Sequence, residues 1–131
     1  MKKKWLWILP LIGLSACCMR VITDEEMTLA AIGETSVRMG MYLRQQHKYP
    51  ATLAELPERP GYANRITDGW KRPLIYNVDM NGIVTIMSLG RDGKPGGAGK
   101  DQDVSRRYRT KNPDGSWCVD DESWIVKDEI K

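Results

Sequence analysis

The sequence contains very little of the chemistry that metal-dependent and nucleophilic enzymes use. One of its 131 residues is histidine and three are cysteine. Zinc is disfavoured because no cluster of histidines and cysteines has the spacing of zinc ligands. His47 stands beside Lys48 at the predicted end of a helix, where such side chains contact terminal carbonyls more often than substrates. Cys118 has no motif around it. We therefore expect no enzyme activity and no small-molecule substrate.

A charge excess is also missing from the main part of the chain. The formal net charge of +3 comes from 20 Lys and Arg against 17 Asp and Glu. The whole difference lies in Lys2, Lys3 and Lys4, so that the chain after them is formally neutral. The local run Arg106-Arg107-Tyr108-Arg109 is interpreted as a solvated strand face. We expect no nucleic-acid partner.

Long hydrophobic runs are absent as well. The apolar run from Trp5 to Leu14 has ten residues, which is short for a membrane span and typical of a signal peptide. It ends in Leu14-Ser15-Ala16-Cys17, which resembles a bacterial lipobox. We predict that residues 1–16 are a lipoprotein signal peptide and that Cys17 carries lipid. An ordinary signal peptide and an uncleaved anchor are the alternatives.

The mature domain is predicted to be a single unit, residues 17–131, with a short C-terminal extension. Cys18 rather than aspartate follows the lipid site, which by resemblance to bacterial sorting rules indicates the outer membrane. Cys18 and Cys118 are able to pair in an oxidising compartment, although the position of Cys18 beside the lipid does not favour a disulfide.

A long helix is predicted at the start of this domain. Thr23-Asp24-Glu25-Glu26 is a capping box with acids in the first turn, and Tyr49-Pro50 ends the pattern after about Gln46. Apolar and small residues recur at intervals of three and four, which predicts the buried face. They are Leu29, Ile32, Gly33, Ser36, Val37, Gly40 and Met41, with Leu43 at the edge.

A hairpin is predicted from Leu74 to Leu89. Asn81-Gly82 favours a two-residue type I′ turn. That turn pairs Met80 with Ile83 and Val78 with Thr85, and it would put one apolar face of both strands on the helix. A third strand is predicted over 104–110. A turn at 112–115 and a short fourth strand over 117–119 should follow.

The residues from Ser88 to Val104 hold five glycines, one proline and three aspartates. Glycine this dense favours neither helix nor strand, because ordering its backbone costs too much entropy. Gly99-Lys100 lacks the Ser or Thr of a phosphate-binding loop, and 101–104 departs from the EF-hand pattern at its third ligand. Three carboxylates would repel each other without a cation, and calcium takes ~6–8 oxygen ligands of this kind. Composition alone leaves a solvated glycine-rich linker equally open.

Three motifs, taken in order, resemble the type II secretion protein G family, the major pseudopilins. They are Tyr49-Pro50, the segment Asp68–Tyr76, and Ser88-Leu89-Gly90-Arg91-Asp92-Gly93 with the ending Asp101-Gln102-Asp103-Val104. The resemblance covers roughly 28–104. It implies an α+β fold in which a long N-terminal helix packs on a small antiparallel sheet. It also implies that calcium is bound by the carboxylates of Asp92, Asp101 and Asp103, helped by the backbone carbonyl of Leu89.

The family implies a non-enzymatic structural or accessory role in secretion, with secretion or pilus-apparatus proteins as partners. The leader departs from the family, whose members carry a prepilin leader and a long hydrophobic helix. Here the helix opens with Asp24-Glu25-Glu26 and is too polar to line a fibre core. We therefore expect a lipid-anchored envelope protein on the periplasmic side of the outer membrane. The alternative is a free-standing interaction lipoprotein that reuses the calcium-stabilised domain without a secretion role.

Overall fold

One long helix and a three-stranded antiparallel sheet make up the described part of the chain. The computed structural model describes residues 20–118, so that the lipid site predicted at Cys17 and the C-terminal extension after Cys118 lie outside it. The elements are α1 (Asp24–Gln46), β1 (Ile75–Val78), β2 (Ile83–Ser88) and β3 (Val104–Arg109), with 3-10 turns at Leu53–Glu55 and Gly99–Asp101. The strand order is β1-β2-β3, and both pairs are antiparallel. This confirms the predicted α+β arrangement.

Both ends of α1 are where the sequence predicts them. The Thr23 hydroxyl accepts the backbone N–H of Glu26 at 3.2 Å, and the Glu26 carboxylate accepts the N–H of Thr23 at 3.0 Å. This reciprocal pair satisfies two backbone donors that a helix start leaves unpaired. At the other end, His47 adopts a left-handed conformation with φ 51° and donates its backbone N–H to Leu43. This contact is made by the backbone of His47, so that the predicted contact of its side chain stays a prediction.

The predicted packing face of α1 is right only in part. Ile32, Gly40 and Leu43 are buried as predicted, whereas Leu29 and Val37 are 55% and 47% exposed. The inward face also holds residues that the periodicity did not select, namely Thr28, Ala31, Thr35, Arg38, Met39 and Tyr42. The hydroxyl of Thr35 donates to the carbonyl of Arg65 at 3.2 Å, and Thr28 accepts the N–H of Gly69 at 2.9 Å. Polar side chains are buried on this face because they bind the backbone of distant loops, which apolar periodicity does not detect.

The hairpin is present, but its register differs by one residue from the predicted one. Val78 pairs with Val84 and not with Thr85. The connection is a three-residue loop, because Asp79 bonds to Ile83 across it and Gly82 takes φ 73° after a tight turn. The Asp79 carboxylate accepts the N–H groups of Asn81 and Ile83 at 2.8 and 2.9 Å, which favours this turn. The one-residue shift puts the opposite face of β2 toward the helix.

Strand β3 and the turn after it follow the prediction closely. Gly115 donates its N–H to the carbonyl of Asn112 at 2.9 Å, which closes the predicted turn. The predicted fourth strand is reduced, within the described residues, to an isolated bridge between Lys111 and Trp117. Trp117 packs edge-on against Tyr49, with ring centroids 5.1 Å apart. Trp117 is therefore added to the edge of the core, although no fourth strand forms within the described residues.

The core lies between α1 and the inner face of the sheet. Its fully buried apolar members come from α1, β2 and β3: Ile32, Met39, Leu43, Val84, Ile86 and Tyr108. Burying each of these side chains stabilises the fold by roughly 1.5–3 kcal/mol. Ser88, the last inward-facing residue of β2, is 1% exposed. A hydroxyl in that position needs a partner, and its partner connects the core to the glycine-rich loop.

Candidate functional site: a glycine-rich loop contacted by two arginines

The glycine-rich loop connects the facing ends of two paired strands. Ser88 at the end of β2 and Val104 at the start of β3 lie directly opposite each other in the sheet. The start and the end of the loop are therefore held at the distance of neighbouring strands. Within the loop, Arg91 donates its backbone N–H to the carbonyl of Lys100 at 2.8 Å. The loop thus folds back on itself and is not an extended linker.

Glycine is required where the two arms of the loop come closest. Gly97 has φ 88°, and a Cβ there would lie 2.5 Å from the carbonyl oxygen of Asp101. A Cβ at Gly90, where φ is 71°, would lie 2.7 Å from the same oxygen. Neither contact is sterically tolerable, and both dihedral angles are in the left-handed region that favours glycine. The glycines therefore serve a compact arrangement in which backbone carbonyls come close together.

Two of the predicted calcium ligands bind backbone groups of the loop. Asp92 accepts the N–H of Lys94 at 3.0 Å, and the carboxylate of Asp92 is exposed. Asp103 accepts the N–H of Gly96 at 3.0 Å through Oδ2. Its other oxygen, Oδ1, is buried and has no hydrogen-bond partner among residues 20–118. A buried carboxylate oxygen without a donor is costly, and a cation would satisfy it.

The third predicted ligand, Asp101, is held by an arginine. Arg91 Nε donates to Asp101 Oδ1 at 2.8 Å, and a second guanidinium nitrogen donates to Oδ2 at 3.0 Å. This two-point geometry suits a planar guanidinium and a carboxylate. The hydrogen bond from Arg91 lowers the pKa of Asp101, and the same bond raises the pKa of Arg91. The pair is therefore charged on both sides at neutral pH.

A second arginine reaches the loop from the segment before β1. Arg72 donates one guanidinium nitrogen to the carbonyl of Gly90 at 2.5 Å and another to the carbonyl of Arg91. A Cβ at Gly93 would lie 2.9 Å from the same guanidinium, so that glycine leaves room for it. Two cationic side chains of the chain itself therefore lie against the oxygen atoms of the loop.

Asp68 connects this arginine to the core. It is 5% exposed, and its Oδ1 accepts the N–H groups of Trp70 and Arg72 at 3.0 and 2.9 Å. Its Oδ2 accepts the hydroxyl of Ser88 at 2.8 Å, and Ser88 in turn accepts the N–H of Gly90 at 3.2 Å. The motif at 68–76 and the start of the loop are thus joined by one buried carboxylate, which is the partner that Ser88 requires.

The structure does not bring the three predicted carboxylates together. No group of three His, Cys, Asp or Glu side chains suited to a metal ion occurs within the described range 20–118. The donor set is of the kind that calcium prefers, and Asp103 Oδ1 fits a cation. Both oxygens of Asp101 instead accept from Arg91. Of the three predicted ligands, Asp103 alone has a buried oxygen without a donor among residues 20–118, so that the described residues do not form a complete calcium site.

Sequence reasoning missed three residues of this site: Asp68, Arg72 and Arg91. Each lies inside one of the quoted motifs. Arg91 lies directly before Asp92 in the segment Ser88–Gly93. A cationic side chain next to an aspartate in a loop was the signal that could have identified it. Asp68 precedes Gly69-Trp70, and an aspartate at the start of a turn often accepts the turn's own N–H groups.

Within residues 20–118, one long helix packs on a three-stranded antiparallel sheet with this loop between the last two strands, which is a small α+β domain. A family model described as type II secretion system (T2SS), protein G, matches residues 23–107, from the helix cap into β3. This match spans more than half of the chain, which therefore belongs to the type II secretion system protein G family. No relative was found among curated proteins. The family is structural and contributes to protein secretion in the cell envelope.

Proposed function

We propose that this protein is a non-enzymatic, lipid-anchored accessory component of a type II secretion apparatus, with a calcium-stabilised domain. The family match over residues 23–107 carries the secretion role. In the part of the chain that the structure describes, no helix has the length and apolar character to cross a membrane. The lipid predicted on Cys17 attaches the domain of residues 17–131 to the periplasmic side of the outer membrane.

The anchor and the partners are tested together by isolating the full chain from cells. We expect mass spectrometry to find acylated Cys17 at the mature N-terminus, with secretion-apparatus proteins co-isolated after cross-linking. A Cys17→Ser variant should remain as unprocessed precursor, since the thiol that takes the lipid is gone. Normal cleavage of that variant would contradict lipidation. Acylated protein without any secretion component would favour the free-standing lipoprotein.

The proposal of calcium binding rests on the donor chemistry of the loop. Asp92, Asp101 and Asp103 supply carboxylate oxygens, and the loop folds so that backbone carbonyls such as that of Asp101 lie close to the opposite arm. The buried Oδ1 of Asp103 has no donor within residues 20–118. Calcium would neutralise these oxygens, with the Leu89 carbonyl as a further ligand, and would attach the loop to the facing ends of β2 and β3.

Calcium is expected to raise the melting temperature of the purified full chain. At calcium a hundredfold above Kd, an ion that binds only the folded state stabilises it by about 2.7 kcal/mol. For a domain of this size that corresponds to roughly 10 °C or more. The comparison is between buffers with calcium and with a chelator. Magnesium should substitute poorly, because it demands a tighter octahedral shell.

Two variants make this comparison specific. Asp103→Asn should abolish the shift, because it removes the charge from the buried oxygen. Asp114→Asn is the matched control, since Asp114 is an exposed carboxylate in the turn after β3 and accepts the N–H of Ser116 at 2.9 Å. It should keep the full shift. Equal melting temperatures of the unmodified chain in both buffers would remove calcium from the proposal.

A further inference from the structure

We propose that the segment 119–124 pairs with the outer edge of β3 as a fourth antiparallel strand, so that the C-terminal part of the chain covers the edge of its own sheet. Support comes from where the chain leaves the described residues, from the backbone groups of β3 and from charge. The family match ends at residue 107, so this strand would lie beyond the part of the chain that the family model covers. It requires neither calcium nor a partner in the secretion apparatus.

The chain leaves the described residues already running antiparallel to β3. After the turn that follows β3, Trp117 forms an antiparallel bridge with Lys111. Cys118 donates its backbone N–H to the carbonyl of Thr110 at 3.0 Å, and its thiol donates to the carbonyl of Arg109 at 3.3 Å. Arg109 is the last residue of β3. The next residue of the chain therefore starts beside the end of β3, and an extended backbone would continue along that edge.

The backbone groups of β3 on this edge are the ones that a fourth strand needs. Within residues 20–118 the strand order is β1-β2-β3, so that β3 is the last strand of the described sheet. Hydrogen bonding alternates along an antiparallel pair, and Thr110 donates its N–H to the carbonyl of Gly82 on the β2 side at 2.9 Å. The N–H and carbonyl groups of Arg109, Arg107 and Ser105 therefore point to the outer edge. A strand laid there would bond to them and would close the edge against pairing with other chains.

Charge complementarity favours this segment as the fourth strand. Continued from the bridge just described, the antiparallel register brings Asp121 opposite Arg107 and Glu122 opposite Arg106. An extra residue at the end of β3 would shift these pairs by one position. It would still place an acid opposite each arginine, because residues 120–122 are all acidic. Opposite charges at directly facing positions stabilise a pair of strands.

The surface beside this edge favours an acidic strand over a second copy of the chain. Arg107, Arg109 and Lys111 line one groove next to the turn after β3. Asp79 also lines it, but its carboxylate accepts two N–H groups of its own turn. Two β3 edges paired with each other would bring these basic residues together, which is unfavourable. The chain's own segment is acidic, and its attachment at Cys118 keeps it at a high local concentration.

Amide hydrogen exchange of the purified full chain, measured residue by residue by NMR, tests this inference. We expect the outward N–H groups of Ser105 and Arg107 to be protected from exchange. Asp121→Pro and Glu122→Pro are tested one at a time, because proline lacks the N–H that a strand donates and the two positions cover both registers. At least one of them should raise the exchange rates of the outward amides by about tenfold or more.

Two proline variants outside the segment are the matched controls. Asp128→Pro and Glu129→Pro replace the same residue types further along the chain, and they should change these rates by less than about twofold. The N–H of Arg106 lies on the β2 side of β3, so that it should keep its protection in every variant. That amide shows whether the sheet itself is intact.

A second pair of variants tests the charges without disturbing the backbone. Asp121→Asn combined with Glu122→Gln should raise the exchange rate of the Arg107 amide by about fivefold, because two cross-strand charge pairs are lost. Asp128→Asn combined with Glu129→Gln removes the same two charges outside the segment. It should change that rate by less than about twofold.

The outcomes decide between this segment and other occupants of the edge. If the Ser105 and Arg107 amides exchange at equal rates in the unmodified chain and in both proline variants of the segment, the segment does not pair with β3. Protection that falls on dilution, together with a dimer in size-exclusion chromatography, would assign the edge to a second copy and would also overturn the proposal. Protection that is independent of protein concentration and is lost in a proline variant of the segment supports it.

Discussion

Replacing Arg38 with leucine is expected to lower the free energy of unfolding by about 3–5 kcal/mol. Arg38 is 3% exposed on the inward face of α1. Its guanidinium donates to the backbone carbonyls of Leu56, Pro57 and Asn64, at 2.8–3.1 Å. The substitution removes the donors of these buried and partly buried carbonyls, and each buried group left unsatisfied costs about 1–3 kcal/mol. Urea unfolding of the full chain measures the loss, which is a large part of the stability of a small domain.

Two further variants define the origin of this loss. Arg38→Lys keeps the charge but cannot reach three carbonyls from one ammonium group, so that its loss should be smaller but clear. Arg65→Leu is the control, because Arg65 is exposed. Among residues 20–118, its guanidinium donates a hydrogen bond only to the sulfur of Met27. It should change stability by less than about 0.5 kcal/mol. A loss from Arg38→Leu no larger than that of Arg65→Leu would contradict the role of Arg38.

Arg38 also shows why the ends of α1 were predictable from the sequence and its packing face only in part. The N-terminal cap needs residues three apart, Thr23 and Glu26, whose chemistry is local. The face depends on hydrogen bonds to residues 18–26 positions away. The sequence does not distinguish a buried arginine from a solvated one, because the carbonyls that bind it come from distant residues. Apolar periodicity therefore placed Leu29 and Val37 inside. In the structure they are exposed, and Arg38 is buried because it donates to backbone carbonyls.

The hairpin register shows the limit of a strong local signal. Asn81-Gly82 correctly predicts a turn, yet the same pair fits both a two-residue and a three-residue loop. Asp79 decides between them, because its carboxylate accepts two N–H groups of the longer loop. A single residue of shift then reverses which side chains of β2 face the helix, so that Val84 and Ile86 are fully buried.

The candidate site was predictable as a loop but not as a set of contacts. Glycine and aspartate content indicates a compact turn with carboxylates, and the paired positions of Ser88 and Val104 agree with that. Mutual repulsion of the aspartates indicates a cation. The sequence does not identify the cation that lies beside each aspartate. In the structure, the cation beside Asp101 is the guanidinium of Arg91. This contact depends on how the loop folds back on itself, which the spacing of the residues does not encode.

Replacing Asp68 with alanine is the second change with a large expected effect, a loss of about 3 kcal/mol in the free energy of unfolding. Asp68 is 5% exposed and accepts three hydrogen bonds, from the N–H groups of Trp70 and Arg72 and from the hydroxyl of Ser88. Alanine leaves all three donors without this acceptor, and the hydroxyl of Ser88 is buried while the two N–H groups are partly buried. Asp68→Asn should lose only about 1–2 kcal/mol, because its amide oxygen still accepts from the two N–H groups. Urea unfolding measures the free energy of unfolding, which should fall from the unmodified chain to Asp68→Asn and then to Asp68→Ala.

The matched control for Asp68 is Asp114→Ala. Asp114 also accepts the N–H of the residue two positions ahead, at 2.9 Å, but it is exposed. Water replaces that bond, so the loss should stay below about 1 kcal/mol. If Asp68→Ala and Asp114→Ala lost the same stability, burial of Asp68 would not matter. The predicted order follows from where the donors lie, because water reaches the donors beside Asp68 less easily than it reaches the exposed N–H of Ser116.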